Sequence, residues 1–174
     1  MNSKILTTHV GSLPRPAKLS QLLFAKDKNE IIDEKEFDDV VREEVKNTVQ
    51  RQVNCGIDVV SDGEMSKISY ATYIKDRLHG FSGESERKAP ADLEAFPSYK
   101  EKIAKSGGTP TYTRPCCTEE LSIKDAGAVK KDIDNFTAAL QHSNVRSGFM
   151  NAASPGVIAL FLPNKFYETQ DKYL

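Results

Sequence analysis

Between Asp33 and Asn54 the apolar residues Phe37, Val40, Val41, Val45, Val49 and Val53, with Thr48 among them, recur every three or four positions. That spacing lays them along one face of an α-helix. Gly56 stops the helix, as a residue free to adopt left-handed backbone does, and Ile57-Asp58-Val59-Val60-Ser61 then reads as a short strand. Upstream, Ile5 to Val10 is a β-prone run halted by Gly11 and Pro14, which predicts a strand leading into a polar loop. Between Lys18 and Lys28 the apolar Leu19, Leu22, Leu23 and Phe24 share one side of a short helix. Helix, glycine, strand is the repeating unit of a parallel α/β architecture.

Beyond Ser61, the acids Asp62 and Glu64 flank Gly63 at the carboxyl end of the predicted strand, and Tyr70, Tyr73, Ile74, Arg77 and Leu78 fit one face of a following helix. From Gly80 to Gly108 no apolar period is sustained, so the segment reads as a long polar excursion holding one helix near Tyr99 to Lys105. Thr109 to Cys116 reads as a strand with a proline-restricted exit. Ile123 to Gln141 reads as a helix with Val129, Ile133, Phe136 and Leu140 along its stripe, and Ser147 to Ala152 as a further strand. Ser154 then caps a helix that has proline at its first position, and Phe166 to Leu174 resembles the entry of one more. About four strands alternate with helices, where a closed barrel has eight in roughly 250 residues. The expectation is an α/β fold, an incomplete (β/α)8 TIM-type barrel amounting to its first half, with residues 1–174 forming the N-terminal portion of one barrel domain.

Composition narrows the function classes. Hydrophobic residues are 39% and charged residues 28% of the chain, and 24 basic against 25 acidic side chains leave a net charge of −1. A chain so balanced has no field to draw it onto nucleic acid or an anionic membrane. No stretch is long enough to span a bilayer, and polar Thr7, Thr8 and His9 interrupt the N-terminus before a secretory signal could form. Cys55, Cys116 and Cys117 are odd in number and two are adjacent. That pattern suits packing thiols in a reducing cytoplasm better than a disulfide framework. His79 and His142 lack ligand-like neighbours.

Three segments near predicted strand ends hold most of the unusual polar residues: His9 to Arg15, Ser61 to Glu64, and Arg114 with its neighbours. In a parallel barrel such ends converge on one site. Singly, each has an ordinary reading: Ser12 as a turn cap, Glu64 as an acid in the first turn of a helix, Arg114 as an exposed edge residue.

Together, the run Thr7 to Pro16 with its Val10-Gly11-Ser12 loop, the run Gly56 to Glu64, and Ser154 to Ile158 resemble, in order, the catalytic half of cobalamin-independent methionine synthases and their shorter single-barrel relatives. The resemblance implies a 5-methyltetrahydropteroyltriglutamate–homocysteine S-methyltransferase, a (β/α)8 enzyme of methionine biosynthesis. Such an enzyme moves a methyl group from a methyl-folate donor to the thiol of homocysteine, with zinc holding the thiolate and no cobalamin. By the same resemblance Val10, Gly11 and Ser12 hold the amino-acid portion of the thiol substrate and Glu64 receives its ammonium, while Arg114 and Phe161 fall on the folate side. His9, Arg15 and Asp62 are further candidates. His9 stands where the synthases carry a small hydroxyl residue, and Ser61-Asp62 departs from their pair before the Gly-Glu, which leaves the thiol acceptor open. The family's zinc ligands come from later strands than these, so no metal ligand is assigned here and the isolated chain is expected to be inactive. The competing readings are a non-catalytic half-barrel that binds or assembles, a relative acting on another thiol, and a decarboxylase of a polycarboxylate. That decarboxylase would act on a porphyrin-like substrate, and no basic cluster suited to its many carboxylates is present beyond Arg15 and Arg114. A half-barrel leaves strand edges unpaired, which predicts self-association.

Overall fold

In the computed structural model, residues 4–85, 93–105 and 113–174 are described. The first helix, α1 (Ala17–Asp27), buries Leu19 and Leu23. The long α2 (Glu34–Asn54) starts at Asp33, whose carboxylate accepts from the amides of Lys35 and Glu36. Such a cap contributes about 1 kcal/mol. Its buried face carries Phe37, Val41, Val45, Thr48, Val49 and Gln52, so the heptad-like spacing is expressed as read. Gly56, at φ 79°, ends it.

The strand β1 (Val59–Ser61) pairs in parallel with β4 (Ser147–Phe149), Val60 opposite Gly148. The N-terminal run reaches β1 by a single parallel bridge from Thr8 to Val59, with the amides of Asp58 and Val59 both donating to the Thr7 carbonyl. Three strand segments therefore run side by side in one direction. Helices α1, α2 and α4 (Gly127–Gln141) pack on them around Leu19, Val45, Val49, Val60, Met65 and Phe136. Each such side chain, fully buried, contributes roughly 1.5–3 kcal/mol. At Gly148 an added Cβ would lie 2.6 Å from the Phe136 ring, so a glycine there is what lets β4 approach α4.

The middle of the chain corrects the expectation. Residues Leu78–Ser82 form β2, across the end of the expected helix and the start of the stretch read as an excursion, and pair antiparallel with β3 (Cys116–Ile123). The predicted strand over Thr109 to Cys116 lies partly outside the described residues; Thr113 to Pro115 are not strand, and β3 begins at Cys116 and runs to Ile123, displacing the start of α4 to Gly127. β3 thus belongs to a side arm and not to the parallel sheet. The helix expected around Tyr70 to Leu78 is only a 3-10 turn over Thr72–Asp76. The helix α3 (Pro97–Lys105) falls close to its predicted place.

Two further corrections concern α4. Val129 and Ile133 are half exposed, because the helix turns Asp132 inward to meet Arg77 at 2.6 Å. That ion pair ties the arm to the helix layer, as does Asp27, buried at the end of α1, which accepts from the Thr113 amide at 2.8 Å and pairs with Lys75 at 3.0 Å. The arm's own core is Cys117, Ala159 and Tyr173, with Phe81, Leu121 and Tyr167 against them. It joins α5 (Pro155–Phe161) and α6 (Gln170–Tyr173) to the rest. Burial raises the Cys117 thiol and the Tyr173 phenol above their ordinary values, as expected of packing groups. Among the described residues no helix is long and apolar enough to cross a membrane.

Candidate functional site

The carboxyl ends of the three parallel segments meet at Glu64. Past β1 the chain makes a tight turn: the Gly63 amide donates to the Ser61 hydroxyl at 3.3 Å and the Glu64 amide to the Asp62 carboxylate at 3.1 Å. Gly63 and Glu64 both take left-handed backbone, φ 60° and 57°. For glutamate that conformation costs roughly 1–3 kcal/mol and persists only where its surroundings enforce it. Gln52, in the last turns of α2, holds the strand end by donating to the Ser61 carbonyl at 2.8 Å and accepting from its amide at 3.0 Å.

The Glu64 side chain is 2% exposed. One carboxylate oxygen accepts a short hydrogen bond from the Ser12 hydroxyl, and the other accepts from the Asn151 amide at 3.2 Å. Ser12 comes from the loop after the first strand segment, whose Leu13 amide donates to the Gly63 carbonyl at 3.1 Å. Asn151 comes from just beyond β4. The cations nearby are directed elsewhere: Arg15 donates to the Glu64 backbone carbonyl at 2.9 Å, and Lys67 pairs with Asp62 at 3.2 Å, both of those side chains 3% exposed. Among the described residues no lysine, arginine or histidine forms an ion pair with the Glu64 carboxylate. Burial pulls the Arg15 guanidinium below its ordinary value, while the charges of Glu64 and Asp62 act the other way.

The structure thus brings together Ser12, Arg15, Asp62 and Glu64. Glu64 is a turn residue, not a first-turn helix acid, and Asp62 supports the turn. Gly11, at φ 99°, shapes the preceding loop, with Val10 exposed beside it. His9 is half-buried, its Nε2 enclosed and without a hydrogen-bond partner. Arg114 and Phe161 form a second group, the guanidinium 5.3 Å from the ring centre. Asn151 was missed, although it stands at the end of a predicted strand, the same criterion that singled out Glu64. Lys67 carried no sequence signal. Among the described residues no three His, Cys, Asp or Glu side chains are grouped so as to hold a metal ion, so the donor set that zinc requires is not met by them.

A parallel β/α arrangement with a buried carboxylate at its strand ends belongs to the barrel-type α/β class, whose sites lie at those ends. The family described as the cobalamin-independent synthase catalytic domain matches residues 5–107, more than half of the chain, and the chain belongs to that family. It is 31% identical over 77 residues to a probable 5-methyltetrahydropteroyltriglutamate–homocysteine methyltransferase of Schizosaccharomyces pombe, a match covering 43% of this chain and 10% of that protein. The enzyme so named from Bacillus cytotoxicus is 30% identical over 76 residues, again 10% of its length and 44% of this chain. The match therefore spans about a tenth of these relatives. A solved B12-independent methionine synthase from Shewanella sp. W3-18-1, in complex with selenomethionine, shares the fold with a TM-score of 0.62 at 21% identity, over 96% of this chain and 43% of that one.

Proposed function

We propose that this chain provides the amino-acid-binding portion of a methyltransferase barrel that passes a methyl group from a methyl-folate to the thiol of homocysteine. The observation that carries the reading is the Glu64 carboxylate: buried, held by the neutral donors Ser12 and Asn151, and met by no cation among the described residues. A carboxylate prepared in that way suits an ammonium arriving with a ligand, because a charge-assisted hydrogen bond in a dehydrated site is strong. Ser12 and Asn151 hold the acceptor in place, and Gly11 keeps the neighbouring loop clear of the ligand. Arg114 and Phe161 are the proposed folate-side pair, a cation and a ring suited to an aromatic, anionic donor. Residues 1–174 are read as about the first half of one such barrel. A cytoplasmic location belongs to the same proposal, as does self-association through β4, which pairs on one side only among the described residues.

Zinc would supply a nucleophilic thiolate at neutral pH in a complete barrel. The part proposed for this chain is to orient the substrate. The test is calorimetric titration of the chain with L-methionine and with its des-amino analogue, 4-(methylthio)butanoate, for the native protein and Glu64→Gln. Loss of a hydrogen bond to a charged partner, about 1.5–3 kcal/mol, predicts roughly 10- to 100-fold weaker methionine binding in the variant. The des-amino analogue should bind both proteins alike. Equal loss for both ligands, or none for methionine, refutes the assignment.

A further inference from the structure

We propose that Lys67 and Asp62 form a positioning pair: Lys67 neutralises Asp62 so that its carboxylate can hold the Glu64 backbone in the left-handed turn that aims the ligand-binding carboxylate. The inference rests on Glu64 as the ammonium acceptor and names the residues that keep it there.

One Asp62 oxygen accepts from the Glu64 amide at 3.1 Å and the other pairs with the Lys67 ammonium at 3.2 Å. Lys67 closes the loop on itself, its own amide donating to the Glu64 carbonyl at 3.1 Å. Its ammonium lies 5.5 Å from the centre of the Tyr73 ring, a placement that adds cation–π attraction. Both side chains are buried. A buried aspartate left without its counter-ion is strongly disfavoured. It would turn toward solvent or toward another cation, such as Arg15, which is now committed to the Glu64 carbonyl and already feels the Asp62 charge. Either movement removes the acceptor from the Glu64 amide, and glutamate has no intrinsic preference for φ 57°. The turn then relaxes, and the carboxylate leaves Ser12 and Asn151. Lys67 acts on the ligand only through Asp62, so it is a positioning residue.

The direct readout is exchange of the Glu64 amide proton, followed by NMR on the full chain, with the amides of α2 as reporters of the global fold. Lys67→Met should speed exchange at Glu64 by about tenfold, the effect of one lost buried hydrogen bond, with the α2 amides unchanged. Methionine affinity should fall with it, and Lys67→Arg should restore both. If Lys67→Met does not fold, two neutral double variants decide. Asp62→Asn with Lys67→Met keeps an acceptor oxygen and should protect the Glu64 amide, whereas Asp62→Ala with Lys67→Met should not. Unchanged exchange at Glu64 in Lys67→Met, or equal exchange in the two double variants, overturns the inference. Loosening of Glu64 with no change in methionine binding leaves the pair standing and instead overturns the ligand assignment.

Discussion

Gly63→Ala perturbs the site at a place where its backbone meets the helix layer. Gly63 sits at φ 60°, and a Cβ there would meet Thr48 Cγ2 at 2.8 Å, Met65 Cε at 3.1 Å and Leu13 Cβ at 3.2 Å. Left-handed backbone costs alanine roughly 1–2 kcal/mol. The methionine methyl is the far end of a flexible chain and can yield. Thr48 cannot, because it is β-branched, stiff at χ1 and buried in the middle of α2. Overpacking against it adds about 1–3 kcal/mol, so the substitution should lower stability by roughly 2–5 kcal/mol in urea denaturation. Thr48→Ser removes the obstructing methyl and by itself should cost about 1 kcal/mol. In the double variant the steric part vanishes while the backbone part remains. The two changes should therefore couple by at least about 1 kcal/mol, well above the ~0.5 kcal/mol within which independent sites add. Additive effects, or a Gly63→Ala protein within about 1 kcal/mol of the native one, would refute this account of the turn.

Two other outcomes follow from the same region. Gln52→Met leaves the Ser61 amide and carbonyl without the partners that now lie at 3.0 and 2.8 Å. Each unpaired buried group costs about 1–3 kcal/mol, so urea denaturation should show a loss of at least about 2 kcal/mol, and a loss under about 0.5 kcal/mol would show that the strand end needs no clamp. At the N-terminus, the Lys4 ammonium and then the amide and hydroxyl of Thr7 hold the Asp58 carboxyl down to about 2 from its ordinary 3.8. A depressed carboxyl stabilises the fold above the unfolded value and ceases to do so as it becomes protonated in the folded state. The contribution is therefore present above pH 3.8 and is lost as pH falls toward about 2. Asp58→Asn should accordingly flatten the stability profile across that window, and an NMR titration placing the carboxyl at its ordinary value would contradict the pairing.

The helices other than the one expected around Tyr70 to Leu78 were legible because their evidence is local. α2 repeats its apolar stripe over many turns and has a glycine after its end, and the two signals agree. The arm was not legible, for physical reasons of two kinds. β2 is Leu-His-Gly-Phe-Ser, a run with little apolar alternation, and its partner lies more than thirty residues on, so that only the antiparallel register makes either a strand. In α4 the apolar Val129 and Ile133 promised a core face, but the charge on Asp132 found Arg77 inside, and a buried ion pair outweighed an apolar stripe in setting the helix's rotation. At the site, Ser12 and Glu64 were readable from motif. Asn151 depended on knowing that β4 lies beside β1, and Lys67 on the shape of a turn that no residue pattern announces.

The selectivity proposed for the site rests on where its cations point. Two acids, Asp62 and Glu64, are buried on either side of Gly63, and two cations, Lys67 and Arg15, balance them. Had Lys67 reached the Glu64 carboxylate, that group would be saturated and closed to a ligand. Lys67 is instead five residues from Asp62 and pairs with it, while Arg15 takes the Glu64 carbonyl. The Glu64 carboxylate is left to donors without charge, and these come from separate strand ends: Ser12 after the first segment and Asn151 after β4. Neither donor is local to the turn, so the carboxylate is held only when the parallel segments are in register. In the proposed function, that dependence ties recognition to the parallel sheet. It also explains why a strained glutamate is tolerated here: the packing that aligns the strands supplies the energy that the turn costs.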